Sequence, residues 1–238
     1  MSGTYVGKAD EIASERDLRS VGSGVPRIDG LDKVTGAAEY VDDLEFGPGL
    51  LHAAVVESPY GHARIKSIDT SKAEALPGVV KVCTGEDFPF TFGLYMQDRY
   101  VFALDRVRFV GEQVAAVVAR DPRTAAKAVK LIEVDYEVLD PILDPIEAIA
   151  EDADLLHPEL ANYPHVPWFF PKADTNIGHW RKTRRGDIEA GFAEADVVLE
   201  DTYLVPRYAH CAIEPHVTVS KFDQAGRLTI WTSSQSPY

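Results

Sequence analysis

Cysteine is scarce in this sequence, and the two copies, Cys83 and Cys211, lie far apart. This spacing excludes a disulfide framework and a CxxC metal site, so a reducing cytoplasm is the expected compartment. No run approaches the roughly 18 consecutive apolar residues that a membrane-spanning helix needs. The first residues also lack the apolar stretch of a secretory signal. We therefore expect a cytoplasmic protein without a membrane span.

Basic residues are also few. The 238 residues contain 24 Lys and Arg against 38 Asp and Glu, which gives a net charge of −14. Because phosphate binding needs a basic face, nucleic acid is not an expected partner. The only basic run lies at residues 181–185. It is interpreted as a solvated loop or as a docking point for an anionic group, and the loop is favoured.

The first part of the chain alternates between strand and helix patterns, which predicts an α/β domain with its own core. Asp121 and Pro122 suit the N-cap and first position of the strongest helix, and Ser71 is a second candidate N-cap. The run 114–119 is continuously apolar, as in a buried strand. The predicted strands cover 50–57, 63–69, 79–84, the run 114–119 within 107–120, and 132–139, and the predicted helices cover 72–76, 122–131 and 145–150.

Prolines crowd the middle of the chain and predict an extended linker over residues 151–185. A second unit then begins with a helix capped by Asp187. Its predicted strands cover 197–204, 212–222 and 228–232, with a hairpin turn at 223–226 joining the last two. The expected organisation is therefore a flexible arm at 1–20, an α/β domain at 21–150, a linker at 151–185 and an incomplete unit at 186–238.

His210, Glu214 and His216 would share one face of a strand, because residues two apart point to the same side. Histidine and carboxylate ligands suit zinc or non-heme iron. The alternative is a polar strand face with Pro215 at an edge or bulge, and it is favoured. No metal ligand is therefore assigned.

Other polar or small residues are interpreted as structural. Glu112 precedes the buried strand and is a possible catalytic carboxylate, but pairing with Arg106 or Arg108 is favoured. The glycines of 22–24 and 47–49 do not follow a strand and open a helix, as a phosphate cradle requires. The two cysteines are interpreted as inert fillers in apolar surroundings.

Six segments resemble, in the same order, signatures of the molybdopterin-binding subunit of the xanthine dehydrogenase and aldehyde oxidase family. They are Thr35–Asp43 ("TG.A.Y..D"), 51–65 ("LH..v..SP.aHArI"), 75–87 ("A..lPGV...tg.D"), 110–115 ("vGepVA", with Gln113 where proline is common), 186–196 ("GD...aFa.AD") and 213–215 ("mEP"). This resemblance implies an α/β (α+β) hammerhead domain followed by the start of the molybdenum-cofactor-binding domain.

The resemblance also gives one residue a role. Residues 233–237 resemble the family's "sTQ" segment, and the resemblance implies that Gln235 donates a hydrogen bond to an oxo ligand of the molybdenum centre. A neutral amide orients such a ligand without adding charge that would alter the redox balance. The bare sequence would instead favour an ordinary turn residue. No residue of the chain is assigned as a catalytic group.

The implied reaction is oxidative hydroxylation of an N-heterocycle or an aldehyde with water as the oxygen source. The implied cofactors are molybdopterin with molybdenum, as the cytosine dinucleotide, and 2Fe-2S clusters and FAD on partner subunits. Carbon monoxide oxidation, reduction of an aromatic thioester, and a non-catalytic docking or assembly role remain alternatives. The expected partners are an iron–sulfur subunit, an FAD subunit, a small-molecule substrate, and the remainder of the molybdenum subunit or a second one.

The sequence ends where a strand pattern at 228–232 runs into a polar turn, and a strand in this position usually leads to another element. The glycine-rich "GGGFGGK" loop and the C-terminal Glu that the family uses as a general base are absent. The chain is therefore expected to be the front part of a larger subunit. By itself it should bind no molybdenum and catalyse no reaction.

Overall fold

The computed structural model describes residues 24–235. The flexible arm predicted for residues 1–20 lies outside this range. The helices are α1 Gly30–Thr35, α2 Ser71–Glu74, α3 Pro122–Val129, α4 Pro145–Ala148 and α5 Ile188–Glu194, with 3-10 turns at Val41–Asp43, Gly85–Asp87 and Leu160–Asn162. The strands are β1 His52–Glu57, β2 Ala63–Asp69, β3 Val79–Thr84, β4 Thr91–Phe92, β5 Arg99–Tyr100, β6 Arg106–Val107, β7 Gln113–Ala119, β8 Glu133–Val138, β9 Thr218–Phe222 and β10 Leu228–Thr232.

Two compact units make up the chain. One runs from Gly47 to Asp201, and the other combines the chain up to Phe46 with the part from Thr202 onwards. This division by contacts differs from the limits expected from the sequence, and the limits 21–150, 151–185 and 186–238 stay a prediction. None of the helices in the described part of the chain is long and apolar enough to cross a bilayer.

The unit from Gly47 to Asp201 contains two antiparallel three-stranded sheets, with strand orders β1-β7-β3 and β6-β2-β8. β7 is central in the first sheet and is buried along most of its length, as its unbroken apolar run predicts. Val56, Ile68 and Val134 contact the buried clusters of both sheets. These side chains therefore join the two sheets through one apolar layer.

Helix α3 closes the first sheet. The Asp121 carboxylate accepts a hydrogen bond from the Thr124 amide at 2.8 Å, and Pro122 occupies the first turn. Ala125 and Ala128 are buried, and their small side chains allow the helix to lie close to the strands beneath it. The predicted N-cap and first helical residue are thus confirmed.

The buried strand predicted at 114–119 is confirmed as β7, Gln113–Ala119, which pairs with β1 and β3, whereas the short strand Arg106–Val107, which was not predicted, pairs with β2. A turn with Gly111 at φ +90° separates them. Ser71 is not the cap of α2: its amide donates to the Asp69 carboxylate at 2.9 Å, so it is the first helical residue.

Residues 151–185 contain no regular structure apart from one 3-10 turn, yet side chains tie part of this segment to its surroundings. The Asn176 amide group donates to the carbonyl oxygens of Ala148 at 3.0 Å and Asp154 at 2.9 Å, and its oxygen accepts from the Leu156 amide at 2.9 Å. Arg108 Nε donates to the Leu156 carbonyl at 3.0 Å. The segment predicted as a linker is therefore fixed over much of its length.

The second unit is organised around the hairpin β9–β10, whose register pairs Leu228 with Phe222 and Thr232 with Thr218. Asp223 closes the turn by accepting hydrogen bonds from the amides of Ala225 and Arg227. The predicted β10 and its turn are confirmed. The predicted strand 212–222 is confirmed only over β9, residues 218–222. Its first part, 212–217, and the predicted strand 197–204 are wrong, since these residues lack strand pairing and are mostly exposed. Helix α1 falls in a stretch predicted to be loop.

Candidate functional site

Gln235 lies in a bend just after β10, and its side chain is exposed. Within residues 24–235 its amide has no hydrogen-bond partner. The bend itself is held by Ser233, whose hydroxyl donates to the Pro215 carbonyl at 3.0 Å and accepts from the Val217 amide at 3.1 Å. The Ser233 amide also donates to the Val217 carbonyl at 3.2 Å. A free amide therefore sits on an anchored backbone.

A second set of contacts fixes the base of this hairpin. Glu214 Oε1 accepts a hydrogen bond from the Val41 amide at 3.3 Å, so two of the signature segments meet in this unit. The Trp231 ring contacts Phe46 edge to face, with 4.9 Å between the ring centroids. The Thr218 and Thr232 hydroxyls lie 2.9 Å apart across the strands. The ring contact of Trp231 and the contact between Thr218 and Thr232 thus hold the end of the hairpin that carries Gln235.

This arrangement suits binding and orientation rather than acid–base or nucleophilic chemistry. A primary amide both donates and accepts hydrogen bonds and carries no charge. At the anchored bend it is able to orient a polar ligand from outside the hairpin. The structure does not test the role that the resemblance implies for Gln235.

The possible metal group at His210, Glu214 and His216 does not form. The three residues lie outside strands, so they do not share a strand face, and Glu214 instead accepts from Val41. No group of three His, Cys, Asp or Glu residues with metal-binding geometry occurs in the part of the chain that the structure describes.

Glu112 has the structural role that was favoured for it. Its carboxylate accepts from the Arg108 amide at 2.5 Å and lies 4.0 Å from the Arg108 guanidinium. Burial raises the pKa of the Glu112 carboxyl, and the bond from the Arg108 amide offsets part of the rise. The Ser58 amide donates to the Glu112 carbonyl at 2.9 Å, and Gly111 donates back to the Ser58 carbonyl at 2.8 Å. These backbone bonds join the signature segments 51–65 and 110–115 to each other, so both segments have a structural role here.

Two histidines in this unit gave no signal in the sequence. His62 is buried, and its Nε2 atom has no partner among residues 24–235. His157 packs against the Tyr163 ring, and burial lowers the pKa of His157 to about 4, with the positive charge of Arg108 adding to the effect. In this region the sequence singled out only Arg106 and Arg108, as possible partners of Glu112.

The remaining candidates are surface features. The residues of the basic run 181–185 are exposed and have no regular structure. Cys83 is half-buried, and burial raises the pKa of its thiol. Cys211 is exposed, with φ at +50°, so the expectation of apolar surroundings is wrong for this residue.

Comparison with known proteins identifies both halves of the chain. A family profile described as "Aldehyde oxidase and xanthine dehydrogenase, a/b hammerhead domain" matches residues 35–140, and one described as "Molybdopterin cofactor-binding domain" matches residues 169–238. The two matches have the order that the sequence predicted, so the predicted fold class is confirmed.

Individual relatives agree with the family profiles. The "Nicotinate dehydrogenase large molybdopterin subunit" of Eubacterium barkeri is 35% identical over 94% of this chain and 49% of its own length. A probable xanthine dehydrogenase component from Bacillus subtilis is 37% identical over 89% of this chain and 27% of its own length. The solved structure of reconstituted CO dehydrogenase from Oligotropha carboxidovorans is 35% identical with a TM-score of 0.75, over 91% of this chain and 28% of that one.

The chain thus spans between about a quarter and a half of the length of these relatives. The two profile matches, the order of the signature segments and the shared fold lead to one conclusion. The chain belongs to the aldehyde oxidase and xanthine dehydrogenase family of molybdopterin-binding proteins, and it comprises the hammerhead domain and the start of the cofactor-binding domain.

Proposed function

We propose that this chain is part of the large subunit of a molybdenum hydroxylase, which oxidises an N-heterocycle or an aldehyde with water as the oxygen source. The observation that carries the proposal is the exposed amide of Gln235 on a bend anchored by Ser233. The family match to residues 169–238 supports the same assignment.

The residues present fit a molybdopterin cofactor whose metal takes no ligand from this chain. The described residues contain no cluster of metal-binding side chains, whereas Gln235 presents a neutral donor and acceptor. When bound, the cofactor supplies two-electron oxidation of a carbon atom. Gln235 would hold a polar ligand of the cofactor in one orientation, and Ser233 would hold Gln235 in place. We propose the cytosine dinucleotide form of the cofactor.

The electrons released by this reaction must leave the site, so we propose partner subunits with 2Fe-2S clusters and FAD as acceptors. The rest of the molybdenum subunit, or a second one, would supply the remaining cofactor contacts and the general base. The two widely spaced cysteines favour the cytoplasm as the compartment.

Carbon monoxide oxidation is a second candidate, because the CO dehydrogenase fold superposes with a TM-score of 0.75. The chain's described residues contain no feature that distinguishes carbon monoxide from an N-heterocycle or an aldehyde as the substrate. The nicotinate dehydrogenase relative, which matches over a larger share of its own length, favours the heterocycle.

The test is to purify the complete complex that contains this chain and to measure its molybdenum and pterin content. Oxidation of nicotinate, hypoxanthine, an aromatic aldehyde and carbon monoxide is then compared in water enriched in oxygen-18. We expect stoichiometric molybdenum and incorporation of label from water into one hydroxylated product. A complex without molybdenum, or a product whose new oxygen comes from dioxygen, would contradict the proposal. Oxidation of carbon monoxide alone would select the second candidate.

A further inference from the structure

Four aromatic rings lie nearly parallel on the surface of the unit from Gly47 to Asp201. Phe169 stacks on His179 with 4.5 Å between centroids and 17° between planes. Tyr95 lies on one side, 6.3 Å from Phe169, and Phe170 lies 6.0 Å from His179. We call these four rings, with Trp168 and with Trp180, which follows His179 in the chain, the aromatic platform. Trp168 contacts Tyr95 edge to face at 5.2 Å.

Backbone bonds hold the platform in place. The Trp180 amide donates to the Phe170 carbonyl at 2.9 Å, and the Phe170 amide donates to His179 Nδ1 at 3.0 Å. The Val166 amide donates to the Tyr95 carbonyl at 3.0 Å, and this bond joins the segment that contains Tyr95 to the one that contains the other rings. The rings are therefore ordered before any partner arrives, which reduces the entropy that binding would cost.

The platform is nevertheless open to solvent. Tyr95 is 50% exposed, Trp168 55%, Phe170 51% and Trp180 62%. Single exposed apolar residues are ordinary on protein surfaces, but a contiguous cluster of large rings marks an interaction site. Aromatic side chains held rigidly are also the residues that contribute most to protein–protein affinity.

A basic run follows the platform in the sequence. Arg181 and Lys182 follow Trp180 in the chain, and Arg184 and Arg185 come next. All four are exposed, and within the described residues none of them is in an ion pair. The chain as a whole carries a net charge of −14. A strongly acidic partner is thus repelled by most of this protein and attracted to the basic run.

We propose that the aromatic platform and the basic run 181–185 form a docking surface for a protein subunit with an acidic face. The rings supply the buried centre of the interface and the arginines and lysine supply its charged rim. The inference rests on the proposed function, in which the docked protein is an electron-accepting subunit of the same complex. Nucleic acid is disfavoured, because phosphate binding requires a basic face over a larger area than one short run.

The experiment uses the complete molybdenum subunit and the separately purified electron-accepting subunits. Trp180→Ala tests the platform, and the double variant Arg184→Glu/Arg185→Glu tests the rim. Tyr208→Ala is the matched aromatic control, since Tyr208 is 85% exposed. Arg123→Glu/Lys127→Glu is the matched charge control, because both residues are exposed on α3. Affinity is measured by analytical ultracentrifugation at low and moderate salt.

We expect Trp180→Ala to weaken assembly at least about tenfold, as loss of an interface anchor does. The charge reversal should weaken it by a similar factor at low salt and flatten its salt dependence, whereas both controls stay within about twofold of wild type. Amide hydrogen exchange of residues 168–185 should slow only when the partner subunit is added.

Four results would overturn the proposal. Residues 168–185 protected already in the free molybdenum subunit would show that the subunit's own chain covers them. Loss of a self-dimer in Trp180→Ala would identify a second copy as the occupant. Equal weakening by the α3 charge control would mean non-specific attraction, and RNA binding abolished by the charge reversal would point to nucleic acid. Normal assembly of a complex without molybdenum would contradict the proposed function but leave this surface intact.

Discussion

Asn176 fixes part of the segment between the hammerhead domain and α5. Its amide group makes three hydrogen bonds, to Ala148, Asp154 and Leu156, all between 2.9 and 3.0 Å. These partners lie 20 to 28 residues away along the chain. Replacing Asn176 with alanine removes all three bonds at once and leaves the backbone groups of the loop without this partner.

The expected cost follows from the number of bonds. A hydrogen bond between neutral groups contributes about 0.5–1.5 kcal/mol net, and an unsatisfied buried group costs more. Asn176 and Leu156 are half-buried, so water replaces part of what is lost. We expect Asn176→Ala to lower the free energy of local opening around residues 148–177 by about 2–4 kcal/mol.

Amide hydrogen exchange on the full chain measures this directly, with the Leu156 amide as the reporter, and limited proteolysis tests whether the same segment becomes accessible. Asn162→Ala is the matched control. The Asn162 side chain is exposed and makes one bond, to Glu159 at 2.6 Å, so its loss should change stability by less than about 0.5 kcal/mol. Equal exchange of Leu156 in the wild type and in Asn176→Ala would refute the reasoning, because the three bonds would then contribute no order.

Three further changes test other parts of the molecule. In the complete enzyme, Gln235→Ala should keep the fold and molybdenum content but slow single-turnover reduction of the metal centre roughly 10–200-fold, the equivalent of about 1.5–3 kcal/mol for a charge-assisted bond; an unchanged rate would show a turn residue only. Val117→Ala removes two methyl groups from a fully buried site in β7 and should lower the free energy of unfolding by about 2–3 kcal/mol in urea titrations, whereas the same change at exposed Val80 should be nearly neutral. The folded-state pKa of His157 is about 4, below its unfolded value of 6.5, so the unfolded chain binds the proton first; stability should be complete above pH 6.5 and fall by up to about 3 kcal/mol between pH 6.5 and 4. This fall should shrink in His157→Gln, and an identical pH profile for that variant would contradict the assignment.

Local sequence patterns correctly predicted the limits of two strands and the N-caps of two helices. β3 and β10 begin and end at the residues that their β-branched patterns predicted. The caps Asp121 and Asp187 accept backbone amides as their positions predicted. For both caps the side chain bonds to amides two or three residues away, so the local sequence contains both partners.

Local sequence patterns gave the wrong prediction where pairing with a distant segment decides whether a strand forms. Residues 197–204 have a strand pattern, but a strand exists only when another strand pairs with it, and none does in the described part of the chain. The short strand Arg106–Val107 was not predicted, because two residues give no alternating pattern and their pairing with β2 depends on a distant segment.

The sequence by itself determined the caps Asp121 and Asp187, the hairpin turn at 223–226, and the family signatures that point to a molybdopterin protein. Only the tertiary structure decided what those signatures do. It showed that the Ser58 backbone bonds to the backbones of Glu112 and Gly111, that Glu214 accepts from the Val41 amide, and that Ser233 anchors the bend carrying Gln235. The reason is physical: each of these contacts joins groups far apart in the chain, and their meeting depends on the packing of whole strands rather than on the properties of either residue.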